Sequence, residues 1–327
     1  MLLICYGTRP EYLKIRPLLE KMQGVIPYKT FFSGQHTDLV NAYSDYKIEI
    51  LNGQNRLDSI ISSIMNSIDF KNESISAVLV QGDTTTSFAI ALSAFNHEIP
   101  VIHLEAGLRT YNLVQPYPEE ANRQMISRIA TTHLCPTELS KKRLVKEGVS
   151  GKIEVVGNTV LDNLVGVKTK KEKKVLVTIH RRENHKNMKG WFFAIDNLAQ
   201  KYSEYEFLLP IHPNPLVRKH RNIFKNVKVV EPLYYNELIE YLSRCSYVIT
   251  DSGGIQEEAS FLRKPCLVCR KETERTEGLN NFSLLCKDPV LLEEAFKKLD
   301  ELKLEGECPY GSGNTCEKVI KILGTIT

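Results

Sequence analysis

Short apolar runs alternate with segments of helical period along almost the whole chain. The first set of runs covers residues 2–6, 29–33, 77–81, 100–104, 131–135 and 153–157, with helical patterns such as 57–68 between them. Residues 166–174 (GVKTKKEKK) break the series, being charged and without apolar period, and read as a linker. A second set follows at 175–179, 206–211, 227–231, 247–250 and 265–269. Continuous apolar runs separated by amphipathic helices predict parallel sheets buried on both faces. The expected fold class is therefore α/β, with two doubly wound Rossmann-like domains at 1–165 and 166–310. Residues 311–327 end in one further helix, and the pattern leaves open which half it packs on.

Polar residues gather where an apolar run stops and a helix starts, as in residues 2–20, 77–95 and 247–262. His36, Glu105, His180, His212 and Arg270 also follow apolar runs. Open α/β sheets bind ligands outside the carboxyl ends of their strands, so this placement outlines a binding cleft.

Length and composition narrow the class. A chain of 327 residues exceeds the size at which one core stops growing, which favours two domains. Lys and Arg number 43 against 39 Asp and Glu, a formal charge of +4. So small a bias implies neither nucleic acid nor membrane as partner and leaves room for a local anionic ligand. Six of the eight cysteines lie in or beside apolar runs, which suits reduced, buried thiols. Neither HExxH nor a paired CxxC set occurs, and Cys266 and Cys269 alternate with apolar neighbours, so core packing is expected there and no metal site. The apolar stretch before Gly7 is too short for a signal peptide and no run approaches a membrane span, which makes the cytoplasm the expected location.

The sharpest local signal is Asp251-Ser252-Gly253-Gly254-Ile255-Gln256-Glu257-Glu258. Two glycines between a strand and a helix let backbone N–H groups approach an anion at a helix N-terminus, which is phosphate-binding geometry. A tight turn capped by Ser252 would give the same string. His180, Arg181, Arg182, Arg270 and Arg275 flank other strand ends of this half and could surround a diphosphate, arginine being suited to bidentate contact with its oxygens. The first half supplies acids instead. Asp83 could cap the helix that follows it, and Glu119 could serve as a first-turn helix acid. Glu105, placed directly after Val101-Ile102-His103-Leu104, is harder to explain that way, because a carboxylate there is costly unless paired. Several carboxylates in one cleft would furnish a base and an acid together.

GTRPEYLKIRPLL, GQH, QGDTTT, HLEAGLRT, PYPEEANRQMISR, VVGNTVLD, TIHRREN, IHPNPLVR, DSGGIQEEA and RKETER occur in this order, followed by PYGSGNTCEKVIKIL. The chain thereby resembles the non-hydrolysing UDP-N-acetylglucosamine 2-epimerases over nearly its whole length. The resemblance implies a fold of the GT-B type with the nucleotide sugar in an interdomain cleft, a homodimer, and no metal or nicotinamide cofactor. It implies loss of the C2 proton with expulsion of UDP, a glycal intermediate, and readdition of UDP. Position by position it implies Arg9 and Lys14 near the phosphates or catalytic cleft, and Asp83, Glu105 and Glu119 as acid–base carboxylates. His180 and Arg182 would hold the diphosphate with Arg123 nearby, Ser252, Gly253 and Gly254 would form the phosphate loop, and Glu258 would accept ribose hydroxyl protons. His36, His212, Arg270 and Arg275 complete the expected substrate contacts.

Four positions depart from the family pattern. Thr276 replaces a proline, Thr37 and Asp38 replace a polar pair common in members activated by a second UDP-N-acetylglucosamine, and Leu238 stands where an aromatic near the uracil often occurs. Three other functions remain open: a hydrolysing epimerase releasing UDP and N-acetylmannosamine, a GT-B glycosyltransferase, and a non-catalytic nucleotide-sugar-binding protein.

Overall fold

The structure, a computed structural model, describes residues 1–36, 43–70 and 73–326. Two units emerge, one formed by Met1–Asn163 with Tyr310–Thr327 and the other by Leu164–Pro309.

Among the described residues the first unit holds seven strands: β1 (Leu2–Tyr6), β2 (Tyr28–Phe32), β3 (Tyr46–Lys47), β4 (Ala77–Gln81), β5 (Val101–Leu104), β6 (Thr132–Cys135) and β7 (Lys152–Val155). They form one sheet in the order β3-β2-β1-β4-β5-β6-β7, and every pairing is parallel. Helices α1 (Arg9–Met22), α2 (Arg56–Met65), α3 (Thr85–Asn96), α4 (Glu119–Ile129) and α5 (Glu138–Lys146) connect them. Alternate residues of β1, β2, β4 and β5 feed two separate cores. Leu2, Ile4, Leu79, Ile102 and Leu104 meet α1 on one face, while Leu3, Cys5, Val78, Val80 and Val101 meet α2 and α3 on the other. Burial on both faces is why the strands read as unbroken apolar runs.

The second unit holds β8 (Lys174–Thr178), β9 (Glu206–Pro210), β10 (Lys228–Val230), β11 (Tyr247–Thr250), β12 (Cys266–Cys269) and β13 (Ser283–Cys286). Their order is β10-β9-β8-β11-β12-β13, again all parallel. Helices α6 (Met188–Lys201), α7 (Pro215–Arg218), α8 (Tyr235–Arg244), α9 (Gly253–Phe261) and α10 (Leu292–Lys297) accompany them. Trp191, Phe192, Phe207 and Phe296 are among the largest members of its core. Most of the charged stretch read as a linker is fastened to this unit. Lys170 N donates to Ser243 O (2.9 Å), Glu172 N to Arg244 O (2.9 Å), and Ser246 Oγ to Glu172 O (2.6 Å).

The last helix, α11 (Thr315–Leu323), returns to the first unit. Cys316, Val319 and Leu323 enter the core that contains Leu2 and Ile4. Asp162 Oδ2 accepts from Thr315 N and Oδ1 from Cys316 N, both at 3.0 Å, so a carboxylate from another element serves the N–H groups of the first helical turn. Gly157 (φ +101°) permits the close approach there, since a Cβ would lie 2.5 Å from Thr315 Oγ1. Among the described residues no helix is long and apolar enough to cross a membrane.

Candidate active site

In the first unit the strand-end loops are tied to one another by hydrogen bonds. Any side chain at Gly7 would collide with Thr86 Oγ1 (2.2 Å) and Ser33 Oγ (2.3 Å), so glycine lets the loops after β1, β2 and β4 meet. Glu11, only 2% exposed, fastens two of them. Its Oε2 accepts from Gly7 N (3.1 Å) and Thr8 Oγ1 (2.7 Å), and its Oε1 from Thr84 Oγ1 (2.7 Å) and Ser87 Oγ (3.0 Å). Burial raises the pKa of this carboxyl, and the hydrogen bonds oppose the rise. Gln35 Oε1 accepts from Thr86 N (3.1 Å) and Oγ1 (2.8 Å), and His36 N donates to Gly7 O (2.9 Å). Arg9, the first residue of α1, is partly exposed, and His36 is exposed.

Glu105 directly follows β5 in the left-handed region (φ +66°), which is unusual for a residue other than glycine, and its side chain is buried. Oε2 meets Lys14 Nζ at 2.5 Å and also accepts from Gln81 Nε2, while Oε1 lies 3.4 Å from Asn158 Nδ2. A Cβ on Gly82 would lie 3.4 Å from the same Oε2, so the carboxylate rests on the residue immediately before Asp83.

Asp83 Oδ2 accepts from Arg123 Nε (2.7 Å) and stands 2.5 Å from its Nη2. Arg123 Nη1 reaches Glu120 Oε2 at 3.1 Å, and fully buried Glu120 also receives Thr110 N (2.9 Å) and Tyr111 N (3.1 Å). The cap that Asp83 could have supplied to α3 comes instead from Thr84, whose hydroxyl accepts from Ser87 N at 3.1 Å. Glu119 is partly buried at the first position of α4. Asp83 and Glu105 thus follow adjacent strands, Asp83 paired with Arg123 and Glu105 with Lys14.

The second unit gathers the basic residues. Asp251, fully buried at the end of β11, accepts from His180 N (2.9 Å), Arg181 N (2.8 Å) and Asn184 Nδ2 (2.9 Å). Asn184 Nδ2 also donates to Cys269 O (3.0 Å), so one carboxylate and one amide fix the ends of β8, β11 and β12 together. Desolvation lowers the His180 pKa, Asp251 opposes it, and Arg181 and His185 lower it further. Its ring stacks on exposed His212 with centroids 4.8 Å apart. His212 Nδ1 accepts from Asn214 N (3.1 Å), which places the His212 ring proton on Nε2. Arg182 is exposed at the start of a short 3-10 turn, 182–187.

Ser252 occupies the N-cap position of α9, yet its hydroxyl makes no capping hydrogen bond. Helix geometry leaves the first N–H groups of α9 without helical acceptors, and two of the leading residues, Gly253 and Gly254, carry no side chain to obstruct an anion. Glu258, buried on α9, accepts from Tyr235 Oη at 2.8 Å. Arg270 and Arg275 carry internal charge partners. Arg270 Nε meets Glu183 Oε1 at 2.7 Å and its Nη1 meets Glu274 Oε2 at 2.8 Å. Arg275 Nε meets Glu257 Oε1 at 2.6 Å and Nη1 pairs with Glu274 Oε1. A Cβ on Gly253 would touch Arg275 Nη1 at 2.3 Å, so the absence of a side chain at Gly253 lets Arg275 pack against it. Burial lowers the pKa of Arg181; Arg270 and Arg275 add to that effect, while Glu274 and Asp251 oppose it.

Within each unit the structure brings together most of the expected residues. Arg123, expected near a diphosphate, pairs with Asp83 and Glu120 in the first unit. Thr37 and Asp38 lie outside the described residues. Glu11, Gln81, Glu120, Asn158 and Asn184 were not proposed as site residues from sequence, where the one available signal was a polar residue beside a buried run. Among the described residues no group of three or more His, Cys, Asp or Glu side chains is placed to hold a metal ion.

A protein-family model described as UDP-N-acetylglucosamine 2-epimerase matches residues 26–324. The UDP-N-acetylglucosamine 2-epimerase of Neisseria meningitidis serogroup A is 37% identical over 368 aligned positions, covering 98% of both chains. A crystal structure of UDP-GlcNAc 2-epimerase from Neisseria meningitidis bound to UDP-GlcNAc superposes with a TM-score of 0.91 at 35% identity, covering 99% of each chain. The Methanocaldococcus jannaschii UDP-GlcNAc 2-epimerase, solved in complex with UDP-GlcNAc and UDP, gives a TM-score of 0.86 at 28% identity with 99% of each chain covered.

Proposed function

Because the chain belongs to the UDP-N-acetylglucosamine 2-epimerase family, we propose that it interconverts UDP-N-acetylglucosamine and UDP-N-acetylmannosamine, or a closely related pair of UDP-2-acetamido sugars. A carboxylate takes the C2 proton, the C2–H electron pair forms the C1–C2 double bond, and the C1–O bond breaks with its electrons leaving on UDP. Return of a proton to the opposite face of C2 and attack of a diphosphate oxygen on C1 complete the epimerisation. The C2 proton has no adjacent carbonyl to acidify it, so the barrier falls only if leaving-group charge and the electron-poor ring are both stabilised.

The observation that carries this reading is Glu105, held by Lys14, Gln81 and Asn158 directly against the Gly82–Asp83 turn. Asp83, Glu105 and Glu119 serve as acid–base groups, with Lys14 and Arg9 balancing their charge. His180, Arg182 and the Ser252, Gly253, Gly254 loop receive the diphosphate, with Arg270 and Arg275 shaping the loop from behind. Glu258 accepts from the ribose, and His36, His212 and Arg123 border the substrate. We further propose that the protein works as a homodimer in the cytoplasm.

Run in heavy water and followed by proton NMR, turnover of UDP-N-acetylglucosamine should place deuterium at C2 of the product and, on the return pass, of the substrate. Full protium at C2 of the product would end the elimination mechanism. His180→Ala should weaken UDP binding by about 1.5–3 kcal/mol, the range for hydrogen bonds to charged groups, while the melting temperature stays near that of the parent. Calorimetric titration with unchanged UDP affinity would remove His180 from the diphosphate site.

A further inference from the structure

Gln81 closes β4 after four buried apolar residues, and it is itself only 2% exposed. A buried amide at such a position is costly unless its polar atoms are satisfied, and an apolar side chain would continue the run at no such cost. Its Nε2 is spent on Glu105 Oε2. Sheet register makes the contact: Gln81 pairs with Leu104, the residue before Glu105. The same oxygen receives Lys14 Nζ. An ammonium is a rotatable point charge and sets distance better than direction, whereas a planar amide held in a strand donates along a fixed line.

We propose that Gln81 is a positioning residue that aims the Glu105 carboxylate through a hydrogen bond to its Oε2. It touches neither substrate nor reacting atoms and works by restricting where Glu105 can point. This assignment rests on Glu105 acting as an acid–base carboxylate. The carboxylate leaves β5 in a left-handed conformation, with Asn158 3.4 Å from its other oxygen. Losing the amide therefore frees a side chain whose direction the strand does not dictate, and small displacements of a catalytic group have large kinetic effects.

The test compares Gln81→Leu, Gln81→His and wild type with UDP-N-acetylglucosamine as substrate. For Gln81→Leu, kcat should fall by about 10- to 100-fold, as on removal of groups that orient a reacting ligand, with KM and UDP affinity within about two-fold of wild type. Gln81→His should recover most of the loss, because its Nε2–H stands at nearly the same reach as the glutamine amide. Should the Leu variant not fold, Gln81→Asn replaces it: the amide is drawn back by one methylene and the same loss is expected. A folded Leu or Asn variant with wild-type kcat overturns the assignment, as does a His variant no better than Leu or Asn. Wild-type protein without turnover would overturn the functional reading and this assignment together, an outcome distinct from active wild type with unimpaired variants.

Discussion

Glu105→Gln is expected to reduce turnover by about 10² or more while leaving UDP binding intact, and Asp83→Asn and Glu119→Gln should do the same. Each replacement keeps the size of the side chain and removes its capacity to exchange a proton. At Glu105 the amide has a second effect. Oε2 is approached by two donors, Lys14 Nζ and Gln81 Nε2, so a glutamine must turn its carbonyl oxygen toward both, which sets its amino group against the Asn158 Nδ2 donor and forfeits that contact. At Asp83 the substitution leaves Arg123 paired with Glu120, which still neutralises the guanidinium. Folding should therefore survive all three changes. Initial rates by proton NMR and UDP titration calorimetry on the same samples separate chemistry from binding. Near-normal turnover in all three variants would leave the proposed acid–base assignments without support.

Glu274→Ala should destabilise the protein by about 3–5 kcal/mol, the range observed when one member of a buried ion pair is removed. Glu274 is fully buried and bridges two guanidinium groups whose side chains are 2% and 5% exposed, those of Arg270 and Arg275. Without it Arg270 keeps Glu183 and Arg275 keeps Glu257, but both lose an anion they share in a region that Arg181 also makes positive. Desolvated like charge then accumulates behind Gly253, where Arg275 packs. Denaturant unfolding followed by tryptophan fluorescence reads this directly, because Trp191 lies in the core of the same unit. A loss below about 1 kcal/mol would mean that solvent reaches these groups and that the pairs are worth no more than surface ion pairs.

Much of the fold was legible because both faces of each sheet are covered. β11 spans Tyr247–Thr250, the same residues as the apolar run, and most other strand ends fall within one or two residues of theirs. β3, two residues long, had no run to announce it, and β13 is a four-residue strand that begins with Ser283. Both lie at sheet edges, where pairing rather than composition makes the strand. In the site, the position of Glu105 could be read because a carboxylate directly after a buried strand calls for a partner. The partner itself could not be read: nothing in QGDTTT says that Gln81 faces Glu105 until β4 and β5 are in register. The arginines show the same limit from the other side. Sequence displays Arg270 and Arg275 as cations at a strand end, whereas their anions include Glu183, 87 residues before Arg270, and Glu257, 18 before Arg275.

The return of α11 to the first unit has a consequence for the order in which the protein can be completed. Chain synthesis delivers residues 1–163, then the whole of the second unit, and only afterwards the helix whose Cys316, Val319 and Leu323 cover Leu2 and Ile4. Domains generally form as they leave the ribosome, N-terminal first. Here the earlier half must wait with part of its core uncovered while the later half is made and folds. Asp162, which receives the two N–H groups at the start of α11, is synthesised about 150 residues ahead of them. The unit made first is thus finished last, and a nascent chain halted before residue 315 would present an apolar groove where α11 belongs, a surface for chaperones or for aggregation.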